Sequence, residues 1–146
     1  MKKTFVPDDY RALAAFRHSI CSYIRFSKRY VHNAGLEPRQ YQLLLALKGT
    51  PKDTRLRIAD LAHQLQIQHH SAAELVNRSE EAGWVHRERG TRDRREVLLR
   101  LTPAGDEVKK NLVKVHLGEV IARGPDLLKA LQTVLSRERA TPRIAK

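Results

Sequence analysis

The sequence predicts a mainly α-helical fold with a small antiparallel β-wing, a winged helix-turn-helix flanked by N- and C-terminal helices. Two short amphipathic helical patterns follow one another between residues 58 and 82. Residues 84–101 then have the pattern of two strands joined by an arginine-rich turn. Long helical patterns precede and follow this central part. These three observations together predict the fold class.

The N-terminal helix is expected to run from about residue 7 to residue 33. Its apolar residues recur at spacings of three, four and seven, which places them on one stripe. They are Leu13, Phe16, Ile20, Ile24 and Val31. Gly35 tolerates the positive φ that commonly ends a helix. A second helix is expected to begin at Pro38, because the missing N–H of proline costs nothing in a first turn.

The second helix is expected to stop at Gly49, before a loop over residues 49–54. Its apolar side is formed by Tyr41, Leu44, Leu45 and Leu47. A third helix over residues 58–65 is expected to turn inward Ile58, Leu61, Ala62 and Leu65. After a short turn, a fourth helix over residues 69–82 is expected to bury Ala72, Leu75, Val76 and Ser79. Gly83 is its expected C-terminal glycine.

Two strands are predicted over residues 84–87 and 96–101, with the hairpin tip at residues 88–95. Alternation in the second strand is expected to turn three side chains toward the core, namely Val97, Leu99 and Leu101.

The C-terminal part is predicted to form two further helices. Thr102 is a favourable N-cap and Pro103 a favourable first residue for helix five, which should reach about Arg123. Residues 124–125, Gly-Pro, are expected to break the chain and begin a sixth helix. Its apolar side carries Leu127, Leu128, Leu131, Val134 and Leu135. The charged tail from Arg137 onward is expected to be frayed.

The charge balance indicates the kind of partner. The 146 residues include 28 Lys and Arg against 16 Asp and Glu, so the formal net charge is +12. Such a charge favours a polyanion, with nucleic acid as the first candidate and an anionic membrane surface as the second. A membrane-surface protein would concentrate its basic residues on one amphipathic helix. Here the richest basic stretch is the predicted hairpin instead.

Several other classes are disfavoured. No run of about 18 apolar residues is present, so no membrane span is expected. The first residues lack the apolar run of a signal peptide, and a cytoplasmic protein is therefore expected. Cys21 is the only cysteine, which excludes an intrachain disulfide and a cysteine zinc cluster. Without a glycine-rich phosphate loop, a nucleophile motif or a carboxylate pair, we expect no enzymatic activity and no cofactor. The seven histidines, which include His69, His70 and His116, form no His-x-x-x-His pair, and no metal is expected.

The fourth helix has the features of a helix that enters the major groove of DNA. Opposite its apolar anchor it offers short polar and basic groups to bases and phosphates. With the residue that precedes it, this face comprises Gln68, His69, His70, Ser71, Ala73, Glu74, Asn77 and Arg78. The first residues would point into the groove, and Arg78, further along, suits a phosphate. On the helix alone, an ordinary solvated face is an equally good interpretation.

The hairpin favours the DNA interpretation. Residues 87–100 contain six arginines and three acidic residues, which leaves a net charge of +3. Arginine suits the narrow minor groove, where the negative potential is strongest. Neighbouring arginines would add phosphate contacts that carry no sequence information. The alternative is a hairpin whose charges only face water.

These residues resemble a known family. Residues 93–102 match the D-x-R-x-x-x-L-x-L-T wing signature of the MarR-type (multiple antibiotic resistance) transcriptional regulators. Asn77-Arg78, followed by residues 81–85, is similar to their recognition-helix exit. The predicted six-helix layout and the length also fit, so the resemblance covers nearly the whole chain.

The resemblance implies roles for single residues. Arg95 would enter the minor groove, and Asp93 would hold it by a charge-assisted bond. Arg92 and Arg94 would lie along the DNA backbone. Four residues would come nearest the bases, namely His69, His70, Ala73 and Glu74. Of these, Glu74 repels phosphate and is able to accept a hydrogen bond from cytosine N4.

The resemblance also implies an obligate homodimer in which each subunit offers one winged helix to a pseudo-palindromic site. Residues 1–146 would form a single MarR-like domain. Its dimerisation helices would be residues 7–36 and 104–137, and its DNA-binding lobe residues 38–102. The apolar stripes of the outer helices support a dimer independently, because the small winged part leaves apolar surface that a second subunit would cover.

Relatives bind small aromatic or anionic molecules between the dimer helices and the winged part. Here such a cleft would be lined by Arg17, Tyr23, Phe26, Tyr30 and Tyr41. Each of these aromatics could equally be a core residue. Some relatives sense peroxides through a helix-one cysteine, and Arg17 and Arg25 would lower the pKa of Cys21. The alternative is a buried, inert thiol.

The sequence therefore predicts a partner, double-stranded DNA, and a dimeric, sequence-specific transcriptional regulator. The leading hypothesis is a repressor of a pseudo-palindromic operator that is relieved by a small aromatic or anionic effector. Two alternatives stay open: an oxidation sensor of the same fold that acts through Cys21, and a non-sensing architectural DNA-binding protein.

Overall fold

The computed structural model describes residues 4–48 and 56–139. Within these ranges it contains the helices α1 (Pro7–Asn33), α2 (Pro38–Lys48), α3 (Ile58–Leu65), α4 (His69–Glu81) and α5 (Pro103–Arg139), and the strands β1 (Val85–Arg89) and β2 (Val97–Leu101). The predicted fold class, mainly α with a two-stranded antiparallel wing, is confirmed. The predicted stop at Gly49 and the loop over residues 49–54 lie outside the described residues.

The chain divides into two compact units. Of the described residues, 28–48 and 56–114 form one, which we call the winged lobe, and 4–27 with 115–139 form the other, which we call the helical unit. The divisions fall inside α1 and α5. Among the described residues, no helix is long and apolar enough to cross a bilayer.

The core of the winged lobe is built where its helices meet β1 and β2. Its buried apolar residues include Val31, Leu36, Tyr41, Leu43, Leu44, Leu61, Ala62, Ala72, Leu75, Val76, Val85 and Leu99. The four buried residues of α4 are the four that its periodicity predicted. Ser79 lies in this core because its Oγ donates to the Leu75 carbonyl oxygen over 2.7 Å. A buried hydroxyl must have such a partner.

The prediction for α2 was partly wrong. Tyr41 and Leu44 are buried as expected, but Leu43 is fully buried and Leu45 is 40% exposed. Gln40, Leu43 and Leu44 are buried and Leu47 is partly buried, which follows the helical spacing of three and four, and Leu45 falls off that stripe.

The strands pair in antiparallel register from Val85 opposite Leu101 to Arg89 opposite Val97. β1 begins one residue later and ends two residues later than predicted. Leu99 is buried and Leu101 partly buried, but Val97, expected to face the core, is 40% exposed. Val97 lies at the outer end of the hairpin, where the strands have passed beyond the lobe's core.

The base of the wing is tied to the start of α5. The Thr102 Oγ1 accepts from the Gly105 N–H over 3.0 Å, which confirms Thr102 as the N-cap. The same hydroxyl donates to the Gly83 carbonyl oxygen over 2.6 Å. Gly105 packs directly on the Trp84 backbone, since a Cβ at this position would overlap the Trp84 carbonyl group.

α5 is one continuous helix, so the predicted break at residues 124–125 and the separate sixth helix were wrong. Proline removes one helical hydrogen bond and crowds the Cβ of the preceding residue. Gly124 has no Cβ, which relieves part of this crowding. The residues that follow, Leu, Lys, Ala and Gln among them, favour helix.

The frayed tail predicted from Arg137 onward lies outside the described residues over residues 140–146, but Arg137 itself, in the helical unit, is not frayed. Its Nε donates to Asp9 Oδ1 over 2.6 Å, and α5 continues to Arg139. Both helices leave large apolar side chains at the surface of the single chain. Those at least 36% exposed include Tyr10, Leu13, Ile20, Ile24, Leu117, Val120, Ile121, Leu128, Leu131 and Leu135.

Candidate nucleic-acid interface

The interface is built around the N-terminal end of α4. α3 ends at Gln66, whose φ of 53° is left-handed and turns the chain so that α4 begins at His69. Gln68 is the N-cap residue in extended backbone geometry, and its side chain makes no capping bond. His69 and His70 are exposed in the first turn, where backbone N–H groups and the helix dipole favour an anion. This end of α4 therefore offers donors suited to DNA phosphates and bases.

The face opposite the buried stripe is the predicted one. Glu74, Asn77 and Arg78 are exposed, and Ser71 and Ala73 are partly buried. The C-terminal half of this face already has partners in the lobe. Arg78, predicted to bind a phosphate, lies with its Nε 3.3 Å from Glu37 Oε2. Because both side chains are about half exposed, this pair is weak enough for a phosphate to replace Glu37.

Asn77 contacts β1. Its Oδ1 accepts a hydrogen bond from Arg87 Nη2. Arg87 is itself held by Glu80, since its N–H donates to Glu80 Oε2 over 2.9 Å and its Nη1 to Oε1 over 2.7 Å. The backbone N–H and then the guanidinium of Arg87 lower the pKa of the Glu80 carboxyl. This role of Glu80 was not predicted from the sequence, although its spacing of three from Asn77 places the two residues on one face of α4.

Asp93 shapes the wing tip. Its Oδ1 accepts from the Arg95 backbone N–H over 2.9 Å, and its carbonyl oxygen accepts from the Glu96 N–H over 3.1 Å. The Gly90 N–H closes the turn on the Glu96 carbonyl oxygen over 2.9 Å. The expected charge-assisted bond between the Asp93 and Arg95 side chains is therefore replaced by a bond to the backbone. An aspartate readily bonds the N–H two residues on in a turn.

Some basic residues of the hairpin have acidic partners, and others, Arg89 on β1 among them, have exposed side chains. Arg100 donates to Glu88 Oε2 over 3.3 Å, and Arg87 is bound to Glu80. His86 Nε2 lies 2.8 Å from Glu88 Oε1, and bonds from His86 and Arg100 lower the pKa of Glu88. At the tip, by contrast, three arginines have exposed side chains, namely Arg92, Arg94 and Arg95. The pairing concentrates positive charge at the tip.

Arg57 makes a weak contact with the wing. Its Nη2 lies 3.4 Å from Glu96 Oε1, so the residue before α3 contacts the residue before β2. The distance and the 64% exposure of Arg57 make this a weak tie.

The predicted ligand-binding residues have different surroundings. In the helical unit, Tyr23 and Phe26 meet His116 edge-on, with ring centroids 6.3 and 5.9 Å away. His116 is buried, and its Nε2 lies 2.8 Å from Ser27 Oγ. His116 was not predicted to join this group, because its distance along the chain from Tyr23 and Phe26 gives no indication that the side chains meet. Arg17 is exposed in the same unit.

In the winged lobe, Tyr41 is a core residue with 6% exposure. Tyr30 is 37% exposed, and the Arg29 guanidinium carbon lies 5.5 Å from its ring centroid. Cys21, on α1, is exposed in the single chain. Within residues 4–48 and 56–139, no three His, Cys, Asp or Glu side chains gather in a geometry that would hold a metal ion.

Comparison with known proteins agrees with this geometry. The model of the MarR family matches residues 34–96. AbsC, a MarR family transcriptional regulator from Streptomyces coelicolor, is similar in structure with a TM-score of 0.73 and 23% identity, over 96% of this chain and 100% of AbsC. Sco3205 from Streptomyces coelicolor, a MarR family transcriptional regulator solved in complex with DNA, gives a TM-score of 0.71 and 24% identity, over 98% of this chain and 94% of Sco3205.

A third similar structure is a point mutant of S. aureus MepR bound to an oligodeoxyribonucleotide. It gives a TM-score of 0.65 and 19% identity, over 92% of this chain and 99% of the mutant. At these identities the structural likeness establishes the shared fold. A comparison with curated proteins gives no match.

Proposed function

We propose that this chain is a homodimeric, sequence-specific repressor of transcription of the MarR family, whose model matches residues 34–96. The observation that carries the proposal is the winged lobe itself. It presents the open N-terminal end of α4 and a wing tip with three exposed arginines.

DNA binding would use both parts of the lobe. The first turn of α4 would enter the major groove, with Gln68, His69, His70 and Ser71 nearest the bases and phosphates and Ala73 and Glu74 behind them. Arg95 would enter the minor groove, and Arg92 and Arg94 would follow the backbone. The net charge of +12 supports the same partner, because phosphate neutralisation supplies most of the affinity for DNA.

A homodimer is supported by the apolar surface of the helical unit. Ile121 is 78% exposed and Leu117 57% exposed in the single chain. Apolar surface on this scale usually marks an interface. A two-fold dimer presents two recognition helices, so its operator would be a pseudo-palindrome with half-sites about one helical turn apart.

Regulation would come from a small aromatic or anionic effector that releases the DNA. The aromatic edges of Tyr23 and Phe26 around His116 suit an aromatic ligand. A second candidate is oxidation of Cys21, which its exposure favours because a sensing thiol must be accessible. The third candidate is a non-sensing architectural protein. It would share the basic charge, but it would not need a helix whose polar face is suited to base contacts.

Selection of sheared genomic DNA on the purified protein at physiological salt, followed by sequencing, tests the proposal. We expect recovery of one pseudo-palindrome with half-sites about one turn apart. Uniform recovery of all sequences would overturn sequence specificity and favour the architectural alternative. Genes beside the recovered sites would then indicate which effectors to titrate, with oxidised Cys21 tested alongside them.

A further inference from the structure

The contact between Asn77 and Arg87 fixes what α4 offers to DNA at this position. Asn77 is exposed on the same stripe of α4 as His70 and Ala73. Its amide oxygen accepts from the Arg87 guanidinium. A guanidinium has only donors, so the amide must turn its oxygen toward Arg87 and its NH2 group away from it.

Arg87 cannot easily move aside, because Glu80 holds it at two points. One carboxylate oxygen of Glu80 accepts from the backbone N–H of Arg87 and the other from its Nη1. The Arg87 side chain is 30% exposed and lies between two α4 residues one turn apart. Rotating the amide by half a turn would place its NH2 against the guanidinium, two donors facing one another.

We propose that Arg87 is a positioning residue that turns the NH2 group of Asn77 toward a base edge and so favours donation by Asn77. Asparagine reads adenine through two bonds, in which its oxygen accepts from N6 and its NH2 donates to N7. Because the Asn77 oxygen is turned toward Arg87 and already accepts from it, this two-bond pair is disfavoured. Asn77 is left to donate to a single acceptor in the major groove, which guanine, thymine and adenine offer and cytosine does not.

A base edge is favoured over a phosphate by the length of the side chain. Asn77 reaches only what the helix face itself approaches, and its stripe neighbour Ala73 leaves room for α4 to lie deep in the groove. Phosphates at the groove walls suit longer side chains such as Arg78. This inference rests on the proposed function, since it needs α4 to lie in the major groove of a specific site.

The test compares the wild type with Arg87→Met, Asn77→Ala and the double variant in selection from an operator library randomised at every position. The wild type should disfavour cytosine, which offers only a donor, at the position that Asn77→Ala makes indifferent. Arg87→Met should shift that position toward adenine, because the released amide is free to turn its oxygen and its NH2 group to the base together. The double variant should show no such shift. Unfolding measurements on each variant confirm that the lobe is intact.

Asn77→Asp is a second variant, which keeps an oxygen for Arg87 but has no NH2 to donate. It should bind the wild-type operator roughly 5- to 100-fold more weakly, the range for losing one base contact. The inference is overturned if Asn77→Asp binds as well as the wild type, if Asn77→Ala lowers affinity equally at all bases, or if Arg87→Met shifts the preference in the absence of Asn77. If the wild type selects no sequence at all, the proposed function fails instead.

Discussion

Arg87 and Arg100 each form an ion pair with a glutamate of the lobe, whereas Arg92, Arg94 and Arg95 are exposed at the wing tip. Paired arginines have part of their charge neutralised and are held in place. Exposed ones are ready to meet phosphates or a narrow minor groove. At the residue scale, therefore, the few acidic side chains of the lobe decide which basic ones stay exposed.

Arg95→Ala should weaken binding to the selected operator by about 1–3 kcal/mol, because it removes a groove contact. Binding to an unrelated duplex should change much less. Fluorescence anisotropy on the two duplexes measures both affinities. Arg123→Ala, which removes the same charge from an exposed position of α5, is the control and should leave both nearly unchanged. An equal loss on both duplexes would favour the architectural alternative.

Gly105→Ala should destabilise the fold by about 1–3 kcal/mol, the usual cost of overpacking. The added Cβ would overlap the Trp84 carbonyl group, and a backbone atom cannot move aside cheaply. Urea denaturation gives the free energy of unfolding. Gly118→Ala is the matched control in the same helix, with nothing within 4 Å of its Cβ, and should raise stability by up to about 1 kcal/mol. Equal stability of Gly105→Ala and the wild type would contradict the close approach.

At the element scale, the Glu80 carboxylate connects α4 to β1. Glu80 accepts both the backbone N–H and the guanidinium of Arg87, so it orders the step from α4 into the wing. Asp93 orders the wing tip in a similar way. Its carboxylate accepts from the backbone N–H of Arg95, rather than from the Arg95 side chain as expected. Glu80 and Asp93 each accept from a backbone N–H group, and by fixing the backbone they determine where the nearby arginines lie.

Glu80→Gln should lower stability at neutral pH and flatten its dependence on acid. The pKa of Glu80 is lowered in the fold from an ordinary value of 4.5. Its stabilising contribution is therefore fully present above pH 4.5 and is lost as the pH falls through the lowered pKa. Unfolding free energies between neutral and acid pH measure the difference. Glu81→Gln, at the exposed neighbouring residue, is the control, and a parallel pH dependence in wild type and Glu80→Gln would argue against this role.

At the scale of the whole molecule, the helical unit differs from the winged lobe in the apolar side chains that it leaves at its surface. The winged lobe buries most of its large apolar residues in its own core, whereas α5 leaves Leu117, Val120 and Ile121 exposed. A second copy of the chain would cover such a surface and would also set the spacing of two recognition helices.

Ile121→Lys should shift the protein toward monomer, since a buried lysine without a partner opposes association. Sedimentation velocity measures the shift, and affinity for the full pseudo-palindrome should fall more than affinity for a half-site. Asn111→Lys adds the same charge at an exposed polar position of α5 in the winged lobe and should sediment as the wild type. If Ile121→Lys also sediments as the wild type, this face does not form the dimer.

Much of the fold followed from the sequence alone. Periodicity identified the four buried residues of α4, and Thr102 and Pro103 marked the start of α5, because stripes and caps depend on residues close together in the chain. The fold class followed from the order of such elements, and the wing signature indicated the family whose model matches residues 34–96.

The tertiary structure decided what depends on residues far apart in sequence or on a balance of opposing terms. Pro125 continues a helix because the missing Cβ of Gly124 and the helix-favouring residues after it outweigh the lost hydrogen bond. Asn77 turns its oxygen to Arg87, and Cys21 and Ile121 lie at the surface, because neighbours brought by the fold set their contacts and exposure. Periodicity assigns a residue to a face, and only packing determines what that face meets.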